Sequence, residues 1–172
     1  PRAVYGRGVA APRRIEPVDQ LLVEYPVAYR RYNAKTEWTI LFGRANPQQR
    51  HMYDTARRTL EQMTAIARPG TTLGAIFDVH AQGLDAGGFR AHRYGATGYS
   101  LGCTYAPTSM DVPPMIYSGN PTRCVPGMVL FYHVMIGDSD TGHAMGVGHT
   151  LLVTDGAPEV LTWLPDELTV ID

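Results

Sequence analysis

The chain has 172 residues, 44% of them hydrophobic and 18% charged, and its formal net charge is −1. This length fits one domain with a sizeable core, and the balanced charge excludes a strongly basic nucleic-acid-binding protein or membrane-surface protein. No apolar run is long enough for a transmembrane helix. The two cysteines, Cys103 and Cys124, do not have the spacing of metal ligands, so we expect two reduced thiols in a cytoplasmic protein.

The first half of the chain predicts strands followed by two helices. Residues 1–19 are rich in Pro and Arg and indicate irregular structure, and apolar runs at 21–23 and 39–42 predict strands. We expect the chain between Tyr25 and Tyr32 to turn back as a hairpin.

Two helices are predicted next. Asn46-Pro47-Gln48-Gln49 has an N-cap residue, a proline at the first helical position and a capping box. An apolar stripe follows, and Arg68-Pro69-Gly70 ends this helix. The second helix is predicted from Thr72 to Gly87-Gly88, with His80 at the edge of the core.

The second half of the chain predicts strands and turns. Residues 127–136 form a long predicted strand, 137–142 a turn, 145–154 its antiparallel partner, and 159–164 a last short strand. The order of strands, two helices and strands predicts an α+β fold in which helices cover one face of a curved antiparallel sheet.

Four motifs in order resemble the pita-bread hydrolases of the M24 type, which include creatinase, prolidase, aminopeptidase P and methionine aminopeptidase. They are 67–72 (ARPGTT), 98–102 (GYSLG), 126–129 (PGMV) and 151–156 (LLVTDG). The resemblance spans about Gly6 to Pro165 and implies the pita-bread fold. It also implies a single catalytic domain over 1–172 that holds about the C-terminal two-thirds of the family's domain, so we expect an N-terminally incomplete fragment or a processed product.

The resemblance also implies where a metal centre would lie. Peptidase members hold two metal ions with two aspartates, a histidine and two glutamates, and the matching positions here are Glu24, Lys35, Tyr99, His133 and Gly148. Hard divalent ions need several carboxylates, so we expect no two-metal site and no cofactor. A single zinc held by Glu24, His133 and His149 remains an alternative.

Two metal-free relatives of this fold resemble the chain more closely. Creatinase has a glutamate at the position of Glu37 and a histidine at that of His149, but its proton-transferring histidine matches only Arg13 here. Ectoine hydrolase resembles the chain in the Gly98 to Gly102 run and in a histidine at the position of His133. We therefore interpret Glu37, His133 and His149 as catalytic residues.

The catalytic candidates lie on three predicted strands. His133 lies on the face of its strand that also carries Phe131 and Met135, and we expect His149 to face it from the neighbouring strand, so that the two imidazoles act as acid and base. Glu37 shares a strand face with Lys35 and either binds a cationic nitrogen or forms a surface ion pair with that lysine.

Four further residues are predicted to bind substrate. Tyr99 donates its hydroxyl to a substrate carboxylate or fills the former metal space, and Arg93 is a candidate carboxylate clamp. Glu24 and Lys35 are expected to form a buried ion pair that replaces the metal charge.

The function implied by the resemblance is metal-independent hydrolysis of a C–N bond in a small zwitterion that carries an amidine, guanidine or amide. The alternatives are a non-catalytic pita-bread binding module, and a metal-dependent enzyme that resembles Xaa-Pro peptidases or dimethylsulfoniopropionate lyases. We expect a small-molecule substrate and no nucleic-acid or membrane partner. We also expect either a homodimer, with a contact at an exposed stretch over 113–116, or association with a missing N-terminal portion.

Overall fold

A computed structural model describes residues 12–103 and 114–172 of the chain. In chain order the elements are β1 (Gln20–Tyr29), β2 (Tyr32–Phe42), α1 (Pro47–Ala65), α2 (Leu73–Ala86), β3 (Ala96–Leu101), β4 (Met115–Tyr117), β5 (Val129–Asp138), β6 (His143–Leu152), β7 (Glu159–Val160) and β8 (Thr169–Ile171). The fold is α+β, as predicted. No described helix is long and apolar enough to span a membrane.

The strands form one sheet in the order β1-β2-β6-β5-β3-β4, with β7 paired to β6 and β8 paired in parallel to β2. Strand β8 was not predicted, and the strand predicted over 159–164 is confined to Glu159–Val160. The backbone hydrogen bonds between β6 and β7 end there because a side chain takes their place. The Thr162 hydroxyl accepts the Thr150 N–H and donates to the Lys35 carbonyl.

The helix signals in the sequence are confirmed. Asn46 and Gln49 form the predicted capping box, and the Thr72 hydroxyl accepts the Ala75 N–H at the start of α2. Helix α1 ends at Ala65, ahead of the proline that predicted its end. The apolar stripe of α1 lies in the core, and His80 of α2 is 1% exposed, within the core rather than at its edge.

A hairpin joins β1 and β2, as predicted, but it turns more tightly. Arg30 and Arg31 alone connect the strands, with φ of 48° and 74°. Positive φ at both residues of a two-residue turn suits the right-handed twist of the paired strands. The register that follows sets Glu24 directly opposite Glu37.

The sheet has two unlike faces. The helix face packs against α1 and α2 and carries Leu130, Tyr132 and Val134 of β5 in the main core. Because side chains alternate along a strand, Phe131 and His133 lie on the opposite side, which we call the site face. There Phe131 packs with Tyr99 of β3 in a second, smaller cluster.

Candidate active site on the open face of the sheet

Two neighbouring rows of side chains cross the site face. In the first row, Glu24 pairs with Glu37, which pairs with Gly148, which pairs with His133. Gly148 has no side chain, and side chains of β5 lie over its backbone. All five predicted metal positions therefore lie in two neighbouring rows, three of them in the first row and the other two in the second.

The second row runs from Lys35 through Thr150 and Phe131 to Tyr99. Lys35 Nζ donates to Glu24 Oε1 at 2.6 Å and to the Tyr99 hydroxyl oxygen at 2.8 Å. It also lies 5.1 Å from the centroid of the Tyr99 ring and 5.8 Å from that of Phe131. Both rings present π density to the ammonium and attract it.

The predicted ion pair between Glu24 and Lys35 is confirmed, and it is buried at one end. The Lys35 side chain is 2% exposed, whereas that of Glu24 is 41% exposed. The sheet curls at this point, since the N–H of Asn33 at the start of β2 donates to the carbonyl of Gly102 just after β3. This closure covers the ammonium, while the carboxylate keeps contact with solvent.

Glu37 is the least satisfied group of this face. It is 1% exposed, and neither carboxylate oxygen has a hydrogen-bond partner among the described residues. Burial, with a smaller contribution from the Glu24 carboxylate, raises the pKa of Glu37 to about 8, and Lys35 opposes the rise. The interpretation of Glu37 and Lys35 as a surface pair is therefore wrong, because both side chains are buried on the predicted shared strand face.

The glycines of β6 make room for these groups. A Cβ at Gly146 would collide with Oε1 of Glu37, and one at Gly148 would lie 3.0 Å from His133 Cβ and 3.1 Å from Phe131 Cζ. Glycine inside a central strand is unfavourable unless another group approaches the backbone closely. Both positions thus let side chains from β2 and β5 lie over β6.

His133 is on the site face, as predicted. Its ring lies 5.9 Å from that of Tyr99 and 5.5 Å from that of Phe131, measured between centroids. Burial lowers the pKa of His133 to about 4, with Glu24 opposing the fall and Lys35 adding to it. Its Nδ1 atom is buried without a hydrogen-bond partner in the described part of the chain. The imidazole is therefore neutral at pH 7 and able to accept a proton.

His149 does not face His133, and that prediction is wrong. His149 is opposite Tyr132, and its neighbours of the same parity, Val147 and Leu151, belong to the core beneath the helices. Its Nε2 lies 2.9 Å from the Thr64 hydroxyl of α1, which already donates to the Leu60 carbonyl at 2.8 Å. His149 Nε2–H is therefore the donor in this contact, on the helix face of the sheet.

The structure differs from the predictions for Arg93 and for the stretch over 113–116. Arg93 binds Asp85 of α2 at 2.6 Å, so it is engaged in an ion pair rather than held ready as a carboxylate clamp. In the stretch predicted to form a dimer contact, Ile116 is fully buried, and Pro113 lies outside the described residues. That stretch is therefore not the exposed apolar surface that was expected. Both cysteines are free, as predicted.

The donor atoms at the predicted metal positions do not fit a two-metal centre. An ammonium, a phenol and a glycine replace three of the five ligands, and the ammonium already binds the one carboxylate that remains. Among residues 12–103 and 114–172, no group of three or more His, Cys, Asp or Glu side chains is arranged to hold a metal ion. A divalent ion about 4 Å from the ammonium would be repelled by roughly 8 kcal/mol at an effective dielectric constant of about 20.

Comparison with known proteins agrees with this fold. The sequence pattern described as metallopeptidase family M24 matches residues 1–155. The chain belongs to the M24 family. Its curated relatives include the Xaa-Pro dipeptidase of Pyrococcus furiosus, 24% identical over 97% of this chain and 46% of the relative. They also include the ectoine hydrolase of Halomonas elongata, 26% identical over 83% of this chain and 35% of the relative.

Solved M24 structures match the same region. The prolidase of Pyrococcus furiosus superposes with a TM-score of 0.84 at 22% identity, over 94% of this chain and 46% of that protein. The Xaa-Pro dipeptidase of Bacillus anthracis gives 0.87 at 19% identity, over 97% and 45%. The M24 chain described here thus spans less than half the length of these relatives.

Two signals for the site were present in the sequence and were missed. Lys35 is the only lysine of the chain, and every other long basic side chain is an arginine. Gly146 and Gly148 alternate within a predicted strand, a pattern typical of close approach to the backbone. Together they mark β2 and the middle of β6 as the centre of the site.

Proposed function

We propose that this protein is a metal-independent hydrolase of C–N bonds, acting on a small zwitterion that carries a carboxylate and an amidine, guanidine or amide. The observation that supports this proposal best is the buried Glu37 carboxyl, which shares a row with His133 and whose two oxygens have no hydrogen-bond partner among the described residues. A buried polar group without partners is costly, and functional sites are where such costs are tolerated.

The charges of the site suit a substrate with no net charge. Lys35 and Glu24 cancel one another, while pKa values of about 8 for Glu37 and about 4 for His133 leave both groups uncharged at pH 7. A protonated carboxyl can donate, and a neutral imidazole can accept. The Lys35 ammonium and Tyr99 hydroxyl, in the neighbouring row, supply positive potential for the substrate carboxylate.

The reaction follows from these protonation states. His133 takes a proton from water as the water oxygen bonds to the carbon of the scissile C–N group. Glu37 gives its proton to the leaving nitrogen as the C–N bond breaks. The proton on His133 then returns to the Glu37 carboxylate, which restores the starting state. His149 has no part in this scheme because it lies on the other face of the sheet.

The test is amine release from zwitterionic amidines, guanidines and amides, measured with a metal chelator present. We expect Glu37→Gln and His133→Gln to lower kcat by about 100-fold or more, the usual contribution of a positioned acid or base. His149→Gln is the matched control, a second buried histidine of the same sheet, and it should leave kcat unchanged. Loss of all turnover in the chelator, with recovery on adding Mn²⁺, would overturn the proposal.

Xaa-Pro peptidase activity is the second candidate, because the names of several relatives specify it. It predicts cleavage of Xaa-Pro dipeptides that depends on added metal. If neither class of substrate is turned over with or without metal, the remaining alternative is a binding module that has kept the fold without the reaction.

A further inference from the structure

We infer that the Lys35 ammonium is a resident cation that stands in place of a metal ion and closes this site to divalent cations. The inference deepens the proposed function. It rests on one part of that proposal, namely that the protein acts without a metal ion. The described donors of the site face do not surround a metal ion in their present arrangement. We infer that the charge of Lys35 keeps them so, and that its removal allows their side chains to turn toward a divalent ion.

The surroundings of the ammonium resemble those of a bound ion. It contacts oxygens of Glu24 and Tyr99 at 2.6 and 2.8 Å, and the rings of Tyr99 and Phe131 lie beside it. Its side chain is 2% exposed, so bulk water screens it little. A divalent ion that entered this row would have to displace the ammonium or approach it unscreened.

The choice of cation is specific to this position. Every other long basic side chain in the sequence is an arginine, whose planar guanidinium is broad and forks its hydrogen bonds. Lysine provides a compact point charge, which among protein cations is nearest in shape to a metal ion. The one lysine of the chain is therefore found where a compact cation is needed.

The donors left around Lys35 explain why its charge matters. Glu24 and Glu37 are opposite one another on β1 and β2, and His133 lies in the same row beyond Gly148. Carboxylate oxygens and an imidazole nitrogen form a ligand set that suits Mn²⁺. An aspartate at position 35 would add a carboxylate on the same strand face, next to this set.

The single lysine of this chain allows a direct test. Lysine labelled with ¹³C at Cε gives one signal, from Lys35, and paramagnetic Mn²⁺ broadens any signal close to its binding site. We expect one equivalent of Mn²⁺ to leave the wild-type signal sharp. Calorimetry should show that Lys35→Asp binds one Mn²⁺ at least ~100-fold more tightly than the wild type, with a Tm that rises with Mn²⁺ concentration.

Lys35→Met separates removal of the charge from addition of a ligand. It should bind Mn²⁺ at least ~10-fold more tightly than the wild type but more weakly than Lys35→Asp, and it decides the matter if Lys35→Asp does not fold. Broadening of the wild-type Lys35 signal by one equivalent of Mn²⁺ would overturn the inference. So would folded variants that bind Mn²⁺ no more tightly than the wild type. Absence of C–N bond turnover would refute the proposed function without altering these binding results.

Discussion

His149 and Glu37 are both buried polar residues, but they lie on opposite faces of the sheet and differ in their partners. On the helix face, His149 donates to Thr64, a hydroxyl fixed by its own helix. On the site face, neither oxygen of the buried Glu37 carboxyl has a hydrogen-bond partner among the described residues, and the buried ammonium of Lys35 is two residues away. The comparison indicates that a hydrogen bond offsets the burial of His149, whereas the burial of Glu37 costs stability and keeps a reactive group available.

The largest expected effect is a gain of stability at alkaline pH in Glu37→Gln. The pKa of Glu37 is about 8 in the folded protein against 4.5 in the unfolded chain. Between these values the folded state holds a proton that the unfolded state lacks, so stability falls as pH rises through this range. Replacing Glu37 by Gln should remove this fall, a gain of roughly 3 to 5 kcal/mol at pH 8.5 and almost nothing at pH 4.5.

Buried histidines on both faces determine how the stability of the fold changes at acidic pH. Burial lowers the pKa values of His133 and His149 to about 4 and that of His80 to about 3. These depressed values give stability that is fully present above pH 6.5 and is lost as pH falls toward 4. Chemical denaturation across pH should therefore show a maximum near pH 6.5 in the wild type. An alkaline limb that is unchanged in Glu37→Gln would contradict the assignment.

A substitution on the helix face should lower the stability of the fold, by about as much as Glu37→Gln raises it. Leu130 is fully buried in the main core beside the helices. Leu130→Ala should destabilise the fold by about 2 to 5 kcal/mol through lost burial and the cavity it leaves, at every pH. Thermal or urea unfolding measures the loss. If the free energy of unfolding lost in Leu130→Ala changed with pH, the two faces would be coupled more closely than the sheet geometry indicates.

The sequence predicted the elements of both faces better than it predicted which face each residue would occupy. The capping box and the apolar stripe of α1 are local signals, and they placed that helix correctly. The alternation of Lys35 and Glu37 on one strand face was also predictable. Strand β8 was not, because its three residues, Thr169–Ile171, pair with β2 across most of the chain.

The error with His149 has a physical cause. Adjacent strands fix which residues are opposite one another, and a shift of register by one residue turns a side chain to the other face. Here His133 pairs with Gly148 and His149 with Tyr132, so the two histidines have opposite parity. Sequence spacing alone left this register undetermined. The burial of Glu37 was equally hidden, since its carboxyl occupies the space that Gly146 leaves on the neighbouring strand.

The smallest expected effect tests whether His149 is purely structural. Thr64→Val removes the acceptor of His149 Nε2–H and should destabilise the fold by about 1 kcal/mol, the usual net value of such a bond. Thr64→Ser keeps the hydroxyl and is the matched control. Because His149 lies on the helix face, neither variant should change the pH profile of C–N bond hydrolysis, measured as kcat between pH 5 and 9. A shift of that profile in Thr64→Val but not in Thr64→Ser would mean that His149 acts through the sheet on the reaction, and that the helix face takes part in the chemistry as well as in holding the fold.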